Sequence, residues 1–229
     1  IVSCDWSSDV CSSDLHIMTT NNDHYNEAEL LASYFFETAN NSELLQQKLT
    51  DVQQIEQALQ TLMALCGQDD NNPDLDKTPF RVVKAFLEYT SGYREDPTAH
   101  LEKVFDIQQN DPIIVKDIEF YSMCEHHFAP FFGVAHVAYL PDQKVTGLSK
   151  IARVVEGYAR RFQVQERLTN QIADAIDTVL QPKGVMVAIE AKHLCVSSRG
   201  AKKEQAQTFT LASRGAYIKD SQLRSEFMR

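Results

Sequence analysis

Residues 113–140 read IIVKDIEFYSMCEHHFAPFFGVAHVAYL. Ile113–Phe120 mixes apolar residues with Lys116, Asp117 and Glu119, Val134–Leu140 is apolar but for His136, and both runs are read with a period of two. A period of two puts successive side chains on opposite faces of an extended chain, so both runs are strands. Gly133 and Pro141-Asp142 bracket the second. Working outward, Gly184–Val196 (GVMVAIEAKHLCV) predicts a third strand and the residues around Thr208–Ala212 a fourth. Between the second and third strands the period turns helical. One helix runs from Ser149 to about Arg161 and one from Gln165 to Leu180, with Leu168, Ile172, Ile176 and Val179 along one side of the latter. Two strands, two helices and two strands predict an α+β fold, an antiparallel sheet with its helices on one face.

Upstream, Leu45, Leu49, Val52, Ile55, Leu59, Leu62 and Met63 recur at three and four positions, the spacing of a helical face over Ser42–Leu65. Gly67 supplies its left-handed stop, Cys66 reads as a small buried hydrophobe, and residues 69–74 read as a loop. Thr78 caps a second helix with Pro79 in its first turn and Val82, Val83, Phe86 and Leu87 facing inward. Arg81 and Lys84 share a face of that helix, a solvated stripe unless another feature points to an anion there. The expected organisation is a disordered tail over 1–41, a helical region over 42–110 and a sheet domain over 111–229. Residues 1–17 (IVSCDWSSDVCSSDLHI) have the composition of an added segment, which leaves Cys4 and Cys11 little weight.

The 229 residues are 43% apolar, enough for one domain with a sizeable core. A net charge of -10 argues against general nucleic-acid binding and requires that any anion site be built from a few placed cations. No apolar run is long enough to span a membrane, and five irregularly spaced cysteines suit a reducing cytoplasm better than a disulfide framework.

Chemistry concentrates where the first strand ends. Cys124 and His127 are three apart and can reach one ion, and thiolate with imidazole suits zinc. His193 and Cys195, two apart on the predicted third strand, would project from one face and supply the second half of the site. Four ligands would close a structural zinc site, whereas three would leave an open position for water. Adjacent His126 and His127 cannot both point the same way, so one stays free for proton transfer. In Gly147-Leu148-Ser149-Lys150-Ile151-Ala152-Arg153, a Ser149 cap with Lys150 and Arg153 around a helix start makes either a phosphate site or a capped, solvated helix end. Arg199 and Lys202-Lys203 add cations past Cys195. Glu166, beside Gln165, is either a carboxylate at a helix N-terminus or, if buried, a two-point partner for guanine N1–H and its 2-amino group. His136 reads as a core or surface residue, and His16, His24 and His100 carry no role.

Taken together, Cys124-Glu125-His126-His127-Phe128, Gly147-Leu148-Ser149-Lys150-Ile151, Gln163-Val164-Gln165-Glu166-Arg167-Leu168-Thr169 and His193-Leu194-Cys195-Val196 resemble the GTP cyclohydrolase I family, over roughly residues 45–229. The resemblance implies the tunnelling fold, in which antiparallel sheets of several subunits join into a barrel, here as a homodecamer. It implies zinc on Cys124, His127 and Cys195, with His126 and His193 as free acid/base groups. Glu166 with Gln165 would anchor guanine, and Ser149, Lys150, Arg153 and Arg199 would hold the triphosphate, joined by Arg81 from a neighbouring subunit. It further implies cytoplasmic hydrolysis of GTP at C8, with loss of formate and rearrangement to 7,8-dihydroneopterin triphosphate, the first step of pterin and tetrahydrofolate synthesis. Phe162 departs from the pattern, in which Pro or Leu is common. The rival readings are a nicotinamide-dependent relative on the same fold and a catalytically inactive zinc- and nucleotide-binding subunit.

Overall fold

The computed structural model describes residues 42–68, 72–106 and 111–229. The expected 1–41 tail, with Cys4, Cys11, His16 and His24, lies outside the described residues, as do positions 69–71 of the expected loop. The chain divides into two compact units, one ending at Val83 and one spanning Lys84–Arg229.

In the first unit, α1 covers Ser42–Leu65. Gly67 at φ 90° ends it, with its N–H on Ala64 O and the Gln68 N–H on Met63 O, the paired bonds of a left-handed helix stop. Only part of the apolar stripe is covered: Val52 is buried, whereas Ile55, Leu62 and Leu65 stand open. Cys66, expected to be buried, is exposed because it follows the last turn of a helix whose end is itself open to solvent. Helix α2, Thr78–Tyr89, crosses the boundary between the units.

The second unit is built on a five-stranded sheet. Its strands are β2 (Ile113–Cys124), β3 (Pro130–Leu140), β5 (Phe162–Gln163), β6 (Gly184–His193) and β7 (Thr208–Gly215), in the order β5-β2-β3-β6-β7. The four long strands are antiparallel neighbours, as the period of two predicted. Two features went unforeseen. The two-residue β5 adds a parallel edge beside Met123 and Cys124, and β1 (Val104–Asp106) pairs with β4 (Lys144–Thr146) in a separate ribbon. Runs of two or three residues carry too little periodicity to be read.

Helices α3 (Leu148–Ala159) and α4 (Gln165–Leu180) cover one face of the sheet. Ile151, Val154, Val155, Leu168, Ile172 and Ile176 from the helices meet Phe120, Phe131, Val137, Tyr139, Val187 and Ile189 from the strands, all buried. Each such side chain contributes about 1.5–3 kcal/mol of transfer free energy, which makes this layer the main source of cohesion. The other face keeps Tyr121 and Phe132 stacked at 5.6 Å, with Tyr121 open to solvent. Near the chain's end α6 (Ala216–Lys219) and α7 (Ser221–Phe227) bury Tyr217 and Phe227 against Ala138, Met186 and Ala188 of that face. The expected boundary at 110/111 falls inside this unit. The turn Pro97–Leu101 packs its fully buried Leu101 into the same core, and Arg161 donates to the carbonyls of Gly92 and Glu95. His136 has a structural use: β2 bulges between Val115 and Ile118, and the Asp117 N–H donates to His136 Nδ1. Among the described residues no helix is long and apolar enough to cross a membrane.

Candidate active site

Strand β2 delivers Cys124 to the end of the sheet, where the chain turns back into β3. The Cys124 carbonyl accepts from the Phe128 N–H at 2.9 Å, and the Cys124 N–H donates to Ala129 O at 2.9 Å. Closing so tight a loop drives Phe128 to φ 50°, a conformation that costs a non-glycine residue about 1 kcal/mol or more. Its ring stacks on Phe162 at 4.7 Å, so the departure at Phe162 buttresses the histidine loop.

Two strands away β6 ends at His193, and here one expectation is corrected. His193 and Cys195 do not share a strand face, because residues Leu194–Ser197 form a single helical turn, α5. The Ser197 hydroxyl donates to His193 O and the Ser198 hydroxyl to Leu194 O, which holds the turn closed. That turn swings Cys195 toward β2. The Cys124 and Cys195 sulfurs and a His127 ring nitrogen all lie within 4.8 Å of one another, and Cys124 Sγ is 3.8 Å from His127 Nδ1. Bonds of about 2.3 Å to sulfur and 2.0–2.1 Å to nitrogen give tetrahedral edges of roughly 3.6–3.8 Å, which the Cys124–His127 separation matches, and Cys195 lies close enough to join them around one ion. Burial and the neighbouring Cys124 thiol push the Cys195 thiol up, against the opposing pull of Arg199. A cation between the two sulfurs would relieve that penalty.

The two remaining histidines differ. His126 is exposed, its ring centroid 6.3 Å from that of His127, with Nε2 3.7 Å from Glu125 Oε1. His193 is half-buried, stacks on Phe131 at 4.6 Å, and has Nε2 2.7 Å from Gln165 Oε1. The Gln165 amide nitrogen donates to Ile189 O and Thr208 O, each at 3.0 Å, which fixes the amide oxygen toward His193. An oxygen can only accept, so His193 carries its proton on Nε2 and leaves Nδ1 bare. Burial lowers its pKa, which favours the neutral ring, against the pull of Glu166.

Gln165 itself is buried, and its amide engages His193 Nε2, Ile189 O and Thr208 O. Glu166 is exposed in the first turn of α4, so the burial expected of a guanine partner is not met within this chain, and its position is that of a carboxylate at a helix N-terminus. Arg167 makes a two-pronged ion pair to Glu125, at 2.6 and 3.0 Å, that the sequence reading missed. No local signal could reveal it, because the partners lie 42 residues apart. The guanidinium holds the Glu125 carboxyl below the usual range.

Helix α3 starts at Leu148 with Gly147 as its cap residue, so Ser149 does not cap it as expected. The extended backbone of Gly147, φ -63° and ψ 140°, makes the entry, and the Ser149 hydroxyl stays exposed beside Lys150 and Arg153. Arg199 is exposed just past α5, and Arg81 belongs to the N-terminal unit.

The family described as GTP cyclohydrolase I matches residues 55–229. A protein named GTP cyclohydrolase 1 from Bacillus cytotoxicus is 51% identical over 179 residues, 78% of this chain and 95% of the relative. One of the same name from Bacillus mycoides is 50% identical over the same shares. Among solved structures, the apo form of an archaeosine synthase QueF-like protein aligns with 48% of this chain and 98% of its own, at 16% identity and a TM-score of 0.41.

Proposed function

The chain belongs to the GTP cyclohydrolase I family, and from that membership we propose how its residues share the hydrolytic opening of GTP. The activity is that of a GTP cyclohydrolase, a hydrolase. The observation that carries the assignment of roles is the convergence of Cys124, His127 and Cys195 beside His193 and the first turn of α4.

These three side chains would hold zinc, which supplies Lewis acidity that makes water a competent nucleophile near neutral pH. The chain's own residues do the rest. Glu166 accepts from guanine N1–H and the 2-amino group, a two-point match that adenine lacks. Helix α4 makes its first bond from the Leu168 N–H to Val164 O, so main-chain N–H groups at its start are open to the guanine O6. His193, its Nε2–H given to Gln165, takes up and returns protons at Nδ1, and His126 is the second imidazole able to move a proton. Between them they protonate the purine at N7, release formate after attack at C8 and serve the later ribose rearrangement. Ser149, Lys150, Arg153 and Arg199 receive the triphosphate, with the start of α3 adding free N–H groups and a favourable dipole.

Family membership implies an oligomer. We read it as a decamer whose sheets close into the tunnelling-fold barrel, with Arg81 entering the site from a neighbouring subunit. β7 lies at one end of the sheet order with Phe209 and Leu211 exposed along it, and a neighbour's strand would cover that edge. The three described cysteines are free, in keeping with a reducing cytoplasm. Incubating the purified zinc-loaded protein with GTP should release formate and build dihydropterin absorbance without any nicotinamide. Absence of formate would overturn the assignment.

A further inference from the structure

The first turn of α4 reaches both free histidines. Gln165 holds His193 directly. Arg167 crosses to the loop after β2, where its two terminal nitrogens meet both oxygens of the Glu125 carboxylate. Such a fork fixes the plane of a carboxylate as well as its place. The same carboxylate faces His126, its Oε1 3.7 Å from Nε2, and the Glu125 main-chain N–H is tied to Gln163 O at 3.1 Å. Glu125 is therefore held from two sides and presents a fixed negative charge to the His126 ring.

Stability does not account for this pair. Arg167 and Glu125 are 45% and 30% exposed, and ion pairs in such surroundings are worth little. What the bidentate contact secures is direction. It locks the histidine loop to the helix whose residue 166 meets guanine, so the loop and the base-binding carboxylate keep one register.

We infer that Arg167 is a positioning residue for the reaction, setting the orientation of His126 through Glu125. This rests on the reading of His126 as a proton-moving group. The test compares zinc-loaded wild type with Arg167→Met, which keeps much of the stem and loses the fork, and with Arg167→Lys, which keeps the charge. Three quantities are measured: formate release over a range of GTP, bound zinc, and amide hydrogen exchange across residues 124–129. The expected outcome for Arg167→Met is a kcat lower by about 10- to 100-fold, the usual loss when an outer partner of a site is removed. Its KM for GTP should stay within about twofold, zinc should stay stoichiometric and the loop should exchange faster, with Arg167→Lys intermediate. A raised KM with kcat retained would make Arg167 a direct substrate contact and overturn the inference. Loss of zinc in step with kcat would also overturn it, by assigning Arg167 to the integrity of the metal site. Unchanged loop exchange overturns it whatever kcat does. Were the wild type itself to release no formate, the functional reading would fall while the exchange measurement still decided whether Arg167 holds the loop.

Discussion

Cys195 shows how much a single side chain depends on the backbone that carries it. It reaches Cys124 and His127 because β6 ends at His193 and the chain turns from Leu194. Replacing Cys195, Cys124 or His127 by Ser, Ser or Ala should strip the protein of zinc, and formate release should fall by more than the roughly 100-fold that marks the loss of outer partners. Metal analysis decides the point, and full zinc occupancy in Cys195→Ser would remove that residue from the ligand set. Glu166 is judged by specificity. In Glu166→Gln the amide presents a donor to an edge that itself donates, so kcat/KM for GTP should drop by the equivalent of about 1.5–3 kcal/mol, a factor of roughly 10 to 150. If the variant preferred GTP over ATP as strongly as the wild type, the guanine contact would lie elsewhere.

At the scale of the element, the site depends on β3 and β6 lying close together. Gly133 sits opposite Ala191, and a Cβ at Gly133 would meet the Glu190 carbonyl oxygen at 1.9 Å and the Ala191 Cα at 2.7 Å. Both obstacles are backbone, so no side chain can swing aside. Gly133→Ala should cost about 3 kcal/mol, read as a lower denaturant midpoint at unchanged slope. Because the same strand pair aligns Phe131 with His193, whose rings stack at 4.6 Å, activity should fall in the fraction that still folds. An unchanged midpoint would show that the strands can part without penalty. Helix α4 acts as a unit in the same sense: it is fixed to β7 by Arg214, which bonds Asp174 and Asn170, and it presents Gln165, Glu166 and Arg167 from one rigid turn.

For the whole molecule the question is what completes the site. The Cys124–His127–Cys195 cluster and the start of α3, proposed to hold the metal and the triphosphate, stand on different parts of one chain, and the proposed barrel would bring one subunit's cluster to another's helix. Two variants inactive by themselves, His126→Ala and Lys150→Ala, should regain part of their activity when co-expressed, since mixed oligomers bring intact halves together. Light scattering first establishes the assembly. A monomer, or verified mixed oligomers as inactive as their parents, would place every site residue within one chain.

What the sequence determined by itself was whatever is encoded in short-range periodicity and residue chemistry. The period of two read in Ile113–Phe120 and Val134–Leu140 marked the central strands, the 3.6 period marked α4 from Gln165 to Leu180, and the paired thiols and imidazoles marked a cluster able to hold a metal ion. Tertiary structure decided what depends on partners distant along the chain. It ended β6 at His193, turned Ser149 from a cap into a free hydroxyl and engaged the Gln165 amide with His193. It also paired Arg167 with Glu125 and left Cys66 and much of the α1 stripe open. Periodicity reports which side of an element is apolar, because that is a property of neighbours in sequence. Which groups meet across the fold, and in which direction a proton or a lone pair points, is set only when the layers pack and each buried polar atom must find its partner.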